Sequence, residues 1–79
     1  MEDTSYTIFI NTVIQNKCVN IDNCTIDEAV SVAIVFFDKF ATHKYDYVNV
    51  LQHNHNYAVT RCVRKIALTE GLKVEITAF

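Results

Sequence analysis

Residues 6 to 15, YTIFINTVIQ, are rich in β-branched and aromatic side chains, with Ile8, Ile10 and Ile14 on one side of an extended chain and Phe9 and Val13 on the other. This pattern predicts a first strand. Asn16-Lys17 reads as a turn, and Cys18-Val19-Asn20-Ile21 alternates as a short second strand or a loop. In Thr25-Ile26-Asp27-Glu28 a Thr stands at a helix N-cap with Glu three residues on, so that each side chain can satisfy an orphan N–H of the first turn. A helix is expected from here to about Thr42, with Ile26, Ala29, Val30, Ala33, Phe37, Phe40 and Ala41 on one face and Asp27, Glu28, Ser31, Asp38 and Lys39 opposite. Val32, Val35 and Phe36 widen the apolar stripe beyond what one sheet face covers, which hints at a partner; alternatively Val35 is a lone exposed apolar residue of the common kind.

Tyr45 to Leu51 alternates again and predicts a strand, followed by a polar loop over Gln52-His53-Asn54-His55-Asn56. From Tyr57 to Glu70, apolar residues fall at Val59, Cys62, Val63, Ile66 and Ala67, with Thr60, Arg61, Arg64 and Lys65 opposite, which matches the helical period. Asn56 can cap the start of such a helix, and Gly71 can end it in the left-handed conformation. The rival is a strand over Tyr57 to Lys65. Alternation would then bury Arg61 beside Val59 and Val63 or leave both valines exposed, so the helix is preferred. Leu72 to Phe79 closes the pattern as a strand with Val74, Ile76 and Ala78 inward. The expected architecture is an α+β domain spanning 1–79: a small sheet of three or four strands with two helices packed on one face, in the order β-(β)-α-β-α-β. The other face and the strand edges would be left open to association.

Seventy-nine residues suit a single domain whose core is either dense or completed by a second subunit. Apolar residues at 51% and charged residues at 20% exclude a disordered chain, and one Gly with no Pro leaves little room for an open linker. A net charge of −2 argues against a bulk DNA coater, although charge can be arranged locally. Three cysteines and an acidic, polar opening, MEDTSYT, point to a reducing cytoplasm rather than secretion. The longest apolar run, AIVFF, is far short of the ~20 residues a membrane span requires, so no membrane partner is expected.

Arg61, Arg64 and Lys65 would form a basic patch on the polar face of the second helix, suited to phosphate contacts or simply solvated. Tyr45, Tyr47 and Tyr57 would either stack on bases or complete the core. His53, His55, Cys18 and Cys24 are residue types that zinc accepts, but the cysteines lack the close pairing of structural zinc sites. Cys62, on an apolar face, is expected to be an inert packed thiol. Asp27 and Glu28, with Asp22 nearby, read as capping and helix-dipole carboxylates. With no Gly-rich phosphate loop, nucleophile elbow or metalloprotease helix, neither enzymatic activity nor a metal or cofactor is expected.

Residues 25 to 79 resemble the Alba family of nucleic-acid-binding proteins and the related bacterial sporulation protein S family. A helix, the strand DYVNVL, a short loop and then NYAVTRCVRKIAL lead through a Gly into LKVEITAF. The resemblance implies a compact homodimer that binds RNA or DNA through Lys17 in the first loop and Arg61, Arg64 and Lys65 on the second helix. HNHN stands where that family often carries Gly, and the net charge is negative. In size, scarcity of Gly and Pro and lack of catalytic residues, the chain is also similar to small phage-encoded inhibitors of host machinery, including anti-CRISPR proteins. That similarity implies occlusion of a host protein complex, with Val35, Phe36 and Leu68 and the acidic residues making the contact. The third expectation is a purely structural oligomer that buries the wide apolar helix face between subunits.

Overall fold

A computed structural model describes residues 4–54 and 59–77. The chain runs through β1 (Ser5–Asn11), β2 (Asn16–Ile21), α1 (Ile26–Phe40), β3 (Tyr47–Asn54), β4 (Val59–Thr69) and β5 (Leu72–Ile76). All five strands lie in one antiparallel sheet in the order β2-β1-β3-β4-β5. Helix α1 packs against β1, β3 and β4 and carries the chain from the β2 edge across β1 into β3. One face of the sheet is thereby covered. No described element covers the other.

The first strand forms because its even positions are apolar. Tyr6, Ile8 and Ile10 meet Val48 and Val50 of β3 and Val63 and Ile66 of β4 under the helix. On α1 the buried residues are Ala29, Ala33 and Phe37, spaced by four, so a single ridge faces the sheet. The two alanines let the helix backbone approach the strands closely. The capping box is made as expected: the Glu28 N–H donates to Thr25 Oγ1 at 3.2 Å, and the Thr25 N–H donates to Glu28 Oε1 at 3.0 Å. Such a cap is typically worth about 1 kcal/mol.

The expected second helix is not present, which corrects the two-helix fold over the described residues: 59–69 are the longest strand of the sheet, paired with both β3 and β5. Two features explain how this stretch imitates a helix. Between Val50 and Leu51 the register against β4 shifts, so that Val50 pairs with Arg64 and Leu51 with Cys62, and Val63 is the extra residue of a bulge. The bulge moves the alternation by one position. Apolar residues therefore recur at 59, 62, 63, 66 and 67 as they do on a helix. The objection that a strand would bury Arg61 also fails, because 11 residues of strand span about 37 Å, whereas 15 residues of helix span about 22 Å. Arg61 does lie on the helix side between Val59 and Val63, but in the exposed first part of β4, at the cleft it borders with Ile26 at the start of α1.

Smaller corrections follow from the same geometry. β1 stops at Asn11, and Thr12 closes a four-residue turn through its backbone N–H and its hydroxyl, both donating to Gln15 O, at 3.0 and 2.8 Å. Val13 and Ile14 are exposed turn residues, and Asn16-Lys17 opens β2. Residues 52–54, expected in a loop, continue β3, while the Asn56 cap and Tyr57 lie outside the described residues. Gly71 keeps its left-handed φ of +81°, but in a two-residue hairpin with Glu70 at φ +53° between the paired Thr69 and Leu72. A type I′ turn needs positive φ at both central residues, and its twist matches that of the flanking strands. Val74 and Ile76 lie on the uncovered side of the sheet rather than inward; Ala78 lies outside the described residues.

Candidate partner-binding surface

The uncovered face is built from the residues that alternate with the core. Along β1 these are Thr7, Phe9 and Asn11, and the antiparallel registers place Cys18, Asn49 and Tyr47 beside them. Three rows of contacts cross the strands. In the first, Thr7 donates its hydroxyl proton to Asn20 Oδ1 at 2.7 Å and lies 2.6 Å from His53 Nε2; His53 Nδ1 is 2.8 Å from Thr60 Oγ1. Because the Thr7 proton is already given to Asn20, His53 Nε2 is the donor to Thr7, and in a neutral ring Nδ1 then accepts from Thr60. The row ties β2, β1, β3 and β4 together.

In the middle row Phe9 is flanked by Cys18 and Asn49. Asn49 Oδ1 is shielded from solvent and accepts no hydrogen bond among the described residues. In the third row Asn11 Nδ2 donates to Tyr47 Oη at 2.6 Å, and Lys65 Nζ stands 4.6 Å from the centre of the Tyr47 ring. Lys65 is the one lysine, arginine or carboxylate that the strands place on this face, and its charge is turned onto Tyr47. Toward β5 the face becomes apolar, with Leu51, Ala67, Val74, Leu72 and Ile76; Leu72 is 70% exposed.

The four cations expected to share one patch are separated. Lys65 faces the uncovered side. Arg61 and Arg64 lie on the opposite side of the sheet and border an open cleft of about 420 Å³ with Ile26, Cys62, Val63 and Thr77. There Arg61 Nε donates to Gln52 Oε1 at 3.2 Å and Arg64 Nη1 to Val63 O at 2.8 Å, so both guanidiniums are partly engaged within the chain. Lys17 sits on the far edge strand, with Nζ 5.6 Å from the centre of the Phe40 ring. Only Arg61 and Arg64 remain neighbours.

Of the apolar contact residues expected on the helix, Val35 is 62% exposed. Phe36 and Leu68 instead pack against the core, Phe36 with its ring centre 6.1 Å from that of Phe40. Cys62 lies in β4 rather than on a helix; burial pushes its thiol pKa up, more than Lys65 and nearby backbone contacts lower it. Among the described residues no three His, Cys, Asp or Glu side chains cluster as a metal site would require. His55 lies outside them, and Tyr45 is an exposed residue beside Lys44. No helix among the described residues is long and apolar enough to cross a membrane.

The sequence leads to an open sheet face but does not assemble these residues into a site on it, because strand positions count there mainly as core. The signal was present in the odd positions of β1, where Thr7, Phe9 and Asn11 mix one aromatic with neutral polar groups. Compared with protein-family models, with curated proteins and with solved structures, the chain matches none.

Proposed function

We propose that this protein is a small binding domain, acting in a reducing cytoplasm, that works by seating the uncovered face of its sheet on the surface of another protein. The observation that carries the reading is the scarcity of charge on that face, where among the described residues Lys65 is the one full charge and is held on Tyr47. Phosphate backbones are bound by grouped cations. Protein interfaces are depleted of charge at their centres and enriched in aromatic residues. Phe9, Leu51, Val74 and the neutral Asn and Thr side chains fit the second description. The separation of Lys17 and Lys65 from Arg61 and Arg64 supports the choice, because no single surface gathers all four.

The test uses Cys18, which is exposed on this face, as the attachment point for a photo-crosslinker in a Cys24→Ala, Cys62→Ala background. Val35→Cys on the outer helix surface is the control position. The expected result is one protein adduct, resistant to nuclease, formed from Cys18 and not from Val35→Cys. The captured protein, once purified, binds the native chain stoichiometrically and loses binding to Leu51→Glu while retaining it to the Arg61→Glu, Arg64→Glu double variant. Nuclease-sensitive, salt-sensitive capture that depends on the two arginines would overturn the proposal and place the activity at the cleft. Capture through Val35→Cys alone would overturn it as well.

A further inference from the structure

The β5 edge carries its own complement. Thr69 and Leu72 flank a two-residue turn and are therefore a hydrogen-bonded pair; alternation makes Ala67–Val74 and Lys65–Ile76 the next such pairs. The N–H and C=O groups of Leu72, Val74 and Ile76 thus point inward to β4, and those of Lys73 and Glu75 point out from the sheet.

A second copy of this chain can pair with that edge antiparallel only if outward-directed residues meet each other. Three symmetric registers satisfy this. Centring on Lys73 sets two lysines opposite, and centring on Glu75 sets two glutamates opposite; like charges directly opposite destabilise a sheet. Centring on Val74 sets each Lys73 opposite the Glu75 of the other copy. Four backbone hydrogen bonds form, two between each Lys73 and the facing Glu75.

Side-chain faces agree with this register. Lys73 and Glu75 project to the helix side, where Lys73 Nζ already lies 3.2 Å from Asp38 Oδ1, so each lysine would stand between Asp38 of its own chain and Glu75 of the other. On the uncovered side Val74 meets Val74, and Leu72 meets Ile76. These include the most exposed apolar residue of the strand. The opposite edge has no such complement, because Asn16–Ile21 carries Lys17 but no carboxylate.

We infer that β5 pairs antiparallel with β5 of a second copy about a two-fold axis at Val74, joining two five-stranded sheets into one of ten strands with both helices on one side. The dimer doubles the uncovered face and stands independently of what that face binds.

Sedimentation of the purified chain at low salt, from micromolar to millimolar concentration, tests this directly. The native chain is expected to dimerise, less so at high salt. Lys73→Glu and Glu75→Lys each turn two attractive cross-strand pairs repulsive and should weaken self-association about tenfold. Mixing these two variants restores opposite charges across the seam and should give a heterodimer that neither variant forms with itself. Glu75→Pro removes an outward N–H while leaving the β4–β5 ladder intact, so it should be monomeric with an unchanged circular dichroism spectrum. A native chain that stays monomeric throughout the range overturns the inference. A dimer indifferent to the charge changes and to Glu75→Pro does the same.

Discussion

Asp46 is the sharpest test of how the β1–β2 turn is held to the end of the helix. Its side chain is 1% exposed and accepts three backbone hydrogen bonds: from Val13 at 3.1 Å through Oδ1, and from Thr42 at 2.9 Å and His43 at 3.0 Å through Oδ2. Two segments far apart in sequence close on one carboxylate. Asp46→Asn keeps the shape but replaces one oxygen with an NH₂ group, so at least one backbone donor faces another donor. With the amide oxygen placed toward Thr42 and His43, Val13 loses its partner, and the two remaining bonds lose the strength that the ionised acceptor gives them. A hydrogen bond to a charged group contributes roughly 1.5–3 kcal/mol, so the expected loss is about 3 kcal/mol at neutral pH. That is a large share of the ~5 kcal/mol at the low end for natural domains. Since the chain has no Trp, urea unfolding is best followed by circular dichroism.

The pH dependence gives a second readout. Burial by itself pushes the Asp46 carboxyl up, but the donors from Thr42, His43 and Val13, with His43 nearby, together bring it below the ordinary 3.8. A carboxylate held down in the folded state stabilises fully above its unfolded value, near 3.9. That contribution is lost as pH falls from there through the lower folded value. The native chain should therefore lose stability below about pH 4 more steeply than Asp46→Asn, which has no carboxyl to protonate. Equal midpoints at neutral pH, or superimposable acid limbs, would refute the assignment of Asp46 as the clamp.

Two further outcomes are expected. Glu70→Gly should raise stability by about 0.5–1 kcal/mol, because it relieves a non-glycine residue at φ +53° in the β4–β5 turn; a lower urea midpoint would contradict the primed-turn assignment. With a soluble disulfide reagent near pH 8, Cys18 should react first, being exposed. Cys24, raised by burial and by Glu28 and Asp22, and Cys62, raised by burial, should lag until the chain is unfolded. Equal rates for all three thiols would count against the partial burial of Cys24 and Cys62.

What the chain determines locally is legible in its residues. Thr25 and Glu28 mark the start of α1, because a capping box is made within four residues and needs nothing else from the fold. Ile8 and Ile10 belong to the core because strict alternation on a half-covered strand leaves them one side to occupy. Gly71 announces a reversal, although only the pairing of Thr69 with Leu72 shows that strands rather than a helix meet there. The state of residues 59 to 69 was settled by tertiary structure. A bulge at Val63 gives a strand the apolar spacing of a helix, and the exposed first part of β4 leaves Arg61 in water on the side that alternation assigns to the core. The same geometry separates the cations, since successive strand residues point to opposite faces. Lys65 was thus parted from Arg64 and left as the single full charge that the described strands place on the uncovered face, whose row of Asn20, Thr7, His53 and Thr60 no local pattern assembles, because it draws one residue from each of four strands.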